Sequence, residues 1–304
     1  MSTCATASRL LTEPLAGTAV TAPTWLLIEQ PGPWGAKALT GSRLDPAVGR
    51  ALERATAGTG VRAALIRRPG RHADCRPPAG RRIFVAHTAP GRSWIRTTEL
   101  DDPALLLDLD LPALGAGRHD GLWEPYTGDP LALVCTNGKR DRCCALLGRP
   151  LAAELTTAGG TGVWEVTHIG GHRFAPTLFV LPFGYAYGRA TAHGVKEVLE
   201  AAREGRMVTA NCRGRSAWDR PAQAAELAVR ALTGETDANA LDVAGTTATS
   251  GAAPRHEVTV THTDGRSWRV VVEQGAAEPP RPESCGRALG SPARMDVVAV
   301  VPLT

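Results

Sequence analysis

Two short segments constrain this chain more than anything else in it. VCTNGKRDRCC, Val134 to Cys144, carries three of the seven cysteines, and HIGGH, His168 to His172, sets two histidines around a Gly-Gly pair. Thiolate sulfur and neutral imidazole nitrogen are the donors that hold zinc or iron. Two such pairs ask for a fold that brings one segment against the other. Eight residues separate Cys135 from Cys144, whereas zinc fingers usually leave two to four between cysteines. A loop of that length suits a wrap around something larger than a single ion. Adjacent glycines are poor inside a helix, so HIGGH reads as a tight loop whose backbone can approach a bulky group closely. The vicinal pair Cys143 and Cys144 leaves open which neighbour is the ligand.

The rest of the composition narrows the class. The chain has 304 residues, enough for two domains that each bury a core, with 43% apolar and 21% charged residues as in globular proteins. A net charge of +4 is spread along the chain without basic–aromatic interleaving, so nucleic acid is not an expected partner. The N-terminal segment lacks a signal-peptide core and no window has the roughly 18 apolar residues of a transmembrane helix. The expectation is a cytoplasmic protein with no membrane partner, in a compartment where clustered cysteines bind metal or do redox chemistry. Arginine-rich, Ala/Gly/Pro-rich usage points to a GC-rich bacterial source. An odd cysteine count argues against a disulfide framework, and no C-x-x-C is present. Cys4, Cys75, Cys212 and Cys285 are expected to stand alone as free thiols.

Along the chain, strands and helices alternate. TWLLIE is a strand; LDPAVGRALERATAGTG is a helix capped by Asp45 with Pro46 at its first position. RAALIRR, RRIFVAHT and SWIRTTEL follow as strands. From Gly121 the grammar repeats. DPLALVCT is a buried strand, CCALLGRPLAAELTTAG a helix that Pro150 should kink or break, and VWEVTH a strand delivering His168. TLFVLPFG and YAYGRA pair, and HGVKEVLEAAREG and RPAQAAELAVRALTG are helices. The expected fold class is α/β: two thioredoxin-like domains of β-α-β-β-α grammar, at residues 1–118 and 119–235. Residues 236–255 read as a small-residue linker. Residues 256–304 read as a β appendage, with a hairpin around Thr263-Asp264-Gly265 and a third strand in DVVAVVPL.

VCTNGKRDRCC, followed by WEVTHIGGHRFAPTLFVLPFGYAYGR, closely resembles the sucrase/ferredoxin-like family. V-C-T-x-G-x-R-D, H-x-G-G-H-R-F-A and the later Y-G-R carry the resemblance, strongly over residues 131–190 and more weakly over Asn211 to Leu232. The resemblance implies a thioredoxin-like ferredoxin with a [2Fe-2S] cluster on Cys135, Cys144, His168 and His172. The family spacing favours Cys144, which leaves Cys143 as a small core hydrophobe. Two ferric ions, two sulfides and two thiolates sum to zero charge, so such a cluster should accept an electron more readily than a four-thiolate one. Imidazole ligands that gain or lose an outer proton would couple reduction to pH. The cysteines come together here and the histidines come together, unlike the mixed motifs of Rieske proteins.

Lys139, Arg140, Arg142 and Arg173 are candidates for a positive shell around the site and a docking patch for an acidic partner. The alternative is that they solvate the loop and pair with Asp141 and Glu165. Arg213 and Arg215 are weaker candidates for the same face. The expected function is electron carriage rather than independent catalysis, with a flavin-reductase-type donor and an unnamed acceptor. The rival readings are a zinc-stabilised binding module built on the same four residues, and a cluster-dependent reductase. No pair of carboxylates is placed as sugar hydrolysis requires.

Overall fold

The computed structural model describes residues 3–70, 80–249 and 254–303. Cys75 and His72 lie outside them. A short helix, α1 (Cys4–Leu10), precedes the first unit: β1 (Thr24–Glu29), α2 (Pro46–Thr56), β2 (Val61–Arg67), β3 (Arg81–His87), β4 (Trp94–Leu100), α3 (Leu111–Gly115) and β5 (Glu124–Pro125). The second unit holds β6 (Leu131–Cys135), α4 (Arg142–Thr157), β7 (Val163–Val166), β8 (Leu178–Leu181), β9 (Tyr185–Tyr187), α5 (Ala192–Arg203), β10 (Cys212–Arg215) and α6 (Arg220–Thr233).

The two units have the same strand plan. In the first, β1 pairs in parallel with β2 and antiparallel with β3, which pairs with β4. In the second, β6 pairs in parallel with β7 and antiparallel with β8, which pairs with β9. β2 and β7 then join antiparallel through Ile66↔Val166 and Arg67↔Glu165. The result is one mixed sheet of ten strands, β10-β9-β8-β6-β7-β2-β1-β3-β4-β5. At the junction, Arg67 and Glu165 form a buried ion pair at 2.6 Å.

The sheet is strongly curled. β1 and β8 are four strand spacings apart, roughly 19 Å on a flat sheet, yet the rings of Trp25 and Phe179 are 4.5 Å apart. The inner faces of the two units therefore meet, and Trp25, Leu27, Phe84, Leu133, Trp164 and Phe179 share one core. The outer faces carry α2 and α3 on one unit, around Leu26, Ile28 and Leu52, and α4 and α5 on the other, around Val134, Leu151 and Val198.

Local chemistry sets the elements. Asp45 caps α2 by accepting from Ala47 N, and Pro46 opens the helix, as expected from sequence. Pro150 does not break α4, which runs through it. After the proline, Leu151, Ala152 and Leu155 pack with Ala132 and Val134 in one core; before it, Cys144 packs with Leu133 and Cys135 in the core between the units, so both flanks of the helix are held to the sheet.

The C-terminal part is larger than the sequence suggests. Residues 236–255, read as a linker, contain β11 (Leu241–Thr249), an edge strand. It pairs with β12 (Arg255–His262), followed by β13 (Ser267–Ala276), the short β14 (Arg281–Pro282) and β15 (Leu289–Gly290), and β16 (Ala293–Leu303). Four of these make an antiparallel sheet, β11-β12-β13-β16. Its apolar face, Val258, Val260, Trp268, Val270 and Val272, packs on Ala222, Ala225 and Val229 of α6.

Candidate metal centre

Parallel pairing of β6 with β7 sets Cys135 beside Val166 at one end of the sheet. Cys135 is the last residue of β6, and His168 follows β7 by two residues. The chain leaves β6 through the loop 136–141 and enters α4, where Asp141 is the N-cap and accepts from Cys143 N at 2.9 Å. Cys143 and Cys144 thus fall in the first helical turn. Gly148 is what lets α4 lie so close to the strand end, since a Cβ there would stand 2.1 Å from Cys135 O.

These constraints bring donor atoms of Cys135, Cys144 and His168 within 4.8 Å of one another. The His168 and His172 rings lie 5.0 Å apart. Gly170 and Gly171 both take left-handed φ, +74° and +69°, which turns His172 back beside His168. Both cysteines are buried, whereas both histidines are half-buried and form the solvent side of the site.

The electrostatics suit metal ligation. The S–H of Cys144 and the imidazole of His168 hold the Cys135 thiol well below its ordinary range, against the opposing effect of burial. The thiolate of Cys135 and burial push Cys144 up. The pair therefore shares one proton, and a cation would displace it. Burial lowers His172, against the pull of Asp141, so its imidazole stays neutral. Nδ1 of His168 and Nδ1 of His172 are buried and accept or donate no hydrogen bond. A buried imidazole nitrogen without a protein partner fits a lone pair reserved for a metal. On its other side His172 Nε2 faces Asp141 Oδ2 at 3.8 Å, the kind of carboxylate that orients a ligating imidazole.

The charged neighbours divide. Lys139, Arg140 and Arg142 are exposed around the cysteine loop. Arg173 instead turns inward and binds Glu13 at 2.8 Å, with 11% of its side chain exposed. Asp141 and Glu165 do not pair with the loop arginines. Asp141 accepts from Cys143 N, Ser284 Oγ and Cys285 N, and Glu165 accepts from Arg67 and Thr136. Arg213 is fully buried beneath the histidine loop, donating to Gly170 O and Thr18 O; burial lowers it to about 9. Arg215 is equally buried but serves Thr88 O and Ala238 O.

Cys143 faces away from Cys135. Its sulfur meets Cys4 and Cys285, so it is not a lone core thiol and neither are they. Cys212 is buried in the core around α5. The sequence offers no spacing signal for the Cys4–Cys143–Cys285 contact, nor for Asp141, whose role shows only once the N-terminal, central and C-terminal segments are together.

A parallel strand pair that delivers a thiol and an imidazole, joined by a second thiol from a helix N-terminus, groups cysteine and histidine donors that could hold a metal ion in a mixed α/β fold. Residues 15–214 match the sucrase/ferredoxin-like family, well over half of the chain, and the chain belongs to that family. It is also similar to altered inheritance of mitochondria protein 32 from Candida glabrata, 28% identical over 109 residues. That match covers 30% of this chain and 34% of the relative, so the chain spans about a third of the curated relative it matches. No solved structure matches the chain. No helix among the described residues is long and apolar enough to cross a membrane.

Proposed function

We propose that the protein is an electron carrier whose [2Fe-2S] cluster is held by Cys135, Cys144, His168 and His172. The observation that carries this reading is the convergence of two buried thiols with two imidazoles whose Nδ1 atoms have no protein partner. Such a cluster, when bound, supplies a one-electron couple at a potential raised by histidine ligation.

The residues of the chain then have separate tasks. Cys135 and Cys144 give two thiolates from the dry side. His168 and His172 give two neutral imidazoles on the side nearest solvent, where an electron enters or leaves. Asp141, facing His172 Nε2 at 3.8 Å, is placed to stabilise through its charge a proton held on His172 as electrons arrive. Arg213 puts a buried positive charge under the histidine loop and favours the reduced form. Lys139, Arg140 and Arg142 offer an exposed basic rim to an acidic redox partner, with a flavin-reductase-type protein as donor.

The test is anaerobic purification with metal and sulfide analysis. The expected protein is red-brown, with about two irons and two labile sulfides per chain, and gives an electron paramagnetic resonance signal after reduction. Colourless protein holding one zinc on these four residues would overturn the proposal.

A further inference from the structure

The sulfur of Cys143 lies 3.5 Å from that of Cys4 and 3.2 Å from that of Cys285, and Cys4 and Cys285 are 3.5 Å apart. Three thiols thus form a small triangle. They come from the start of α1, the first turn of α4 and the loop between β14 and β15, and the outer two are 281 residues apart in sequence. The carboxylate of Asp141 sits on the same triangle, its oxygens 3.7 and 3.8 Å from Cys4 Sγ. Donor atoms of all four residues lie within 4.8 Å of one another. Cys4, Asp141 and Cys143 are buried and Cys285 is half-buried.

A disulfide does not account for this arrangement. An S–S bond is about 2.05 Å long and would leave one thiol over. Packing as small hydrophobes accounts for burial. It does not explain why three sulfurs converge on one another and on a carboxylate, since a thiol is only a weak hydrogen-bond donor. A binuclear cluster spreads its ligands over two metals and does not fit so small a triangle. A single tetrahedral ion does: metal–sulfur bonds of about 2.3 Å place the sulfurs about 3.8 Å apart, so the observed 3.5, 3.5 and 3.2 Å triangle needs only a small expansion to take an ion.

We infer that Cys4, Cys143 and Cys285 form a second metal centre, a mononuclear zinc site with Asp141 at its fourth position. A carboxylate has about four lone-pair positions. Asp141 uses three of them to accept from Cys143 N, Ser284 Oγ and Cys285 N. Those bonds orient two of the three ligand segments and leave one position for the ion. Four protein ligands make a closed site, the structural kind, and this one ties both ends of the chain to α4. The vicinal Cys143-Cys144 pair then serves two centres, because successive helical residues point about 100° apart.

Zinc and iron are measured together in the full chain, purified anaerobically, and in its Cys285→Ser and Cys135→Ser variants. Wild type and Cys135→Ser are expected to hold about one zinc per chain. Cys285→Ser should lose it while keeping the visible absorption of the wild type. Because Cys285 is half-buried in a loop outside the large sheet, its substitution leaves the first centre in place. Should that variant misfold by circular dichroism, cobalt(II) added to zinc-stripped Cys135→Ser decides, through tetrahedral d–d bands and thiolate-to-cobalt charge transfer of three-thiolate intensity, against the single thiolate left at the first centre. Cys135→Ser that holds no zinc and gives no such bands overturns the inference, as does zinc that survives Cys285→Ser. Iron content reports on the first centre separately, so either reading can fail alone.

Discussion

At the scale of single residues, the adjacent cysteines carry the sharpest consequence of the structure. Cys144 shares a proton with Cys135, while Cys143 turns to Cys4 and Cys285. Cys144→Ser is therefore expected to bleach the visible spectrum, and Cys143→Ser to leave it in place; the reverse result would reassign the ligand. On the proposed function, His172→Cys exchanges an imidazole ligand for a thiolate and makes the proposed cluster more negative by one charge. Its midpoint potential should fall and lose part of its pH dependence in protein-film voltammetry. An unchanged potential would mean that His172 is not a ligand. The grouping of Cys135, Cys144 and His168 was legible in the sequence because the cysteines share one loop, and the Gly-Gly turn that sets the His172 ring beside that of His168 could be read as well. Cys4 and Cys285 were not legible, since no spacing rule relates residues 281 apart, and their contact exists only through the tertiary fold.

At the scale of elements, the strands and helices of both units follow from apolar runs, caps and turn residues, and most could be read directly. The joint between the units could not. It is two residue pairs long, between β2 and β7, too short to leave a pattern. Its stability rests on the buried Arg67–Glu165 pair, with side chains 4% and 7% exposed, backed by the Thr136 hydroxyl at 2.8 Å and the Trp34 ring. Removing one partner strands a buried charge. Arg67→Met is expected to cost about 3–5 kcal/mol in urea unfolding, and Arg67→Met combined with Glu165→Leu to recover much of that loss. A single variant with the wild-type unfolding midpoint would show that the pair adds nothing to the joint. Thr136 follows Cys135 directly, so the same single variant should also loosen the cysteine loop and lower iron retention.

At the scale of the whole molecule, curling of the sheet encloses groups that a flat sheet would leave wet, and this sets how stability responds to pH. His87 ends β3 opposite Thr24 of β1. The Thr24 hydroxyl donates to Leu114 O at 2.8 Å, so it accepts from His87 Nδ1 at 2.8 Å, which fixes the proton on that nitrogen. Burial, with Arg92 and Arg215 nearby, lowers His87 from 6.5 to about 4. The folded state thus keeps this imidazole neutral where the unfolded chain already protonates it. Its contribution to stability is fully present above pH 6.5 and is lost as pH falls from there to about 4. Urea midpoints measured across that window should decline with falling pH. In His87→Asn, whose amide can still donate to Thr24 but does not titrate, the decline should be shallower. Equal slopes in the two proteins would remove His87 from the account and place the acid sensitivity on the carboxylates.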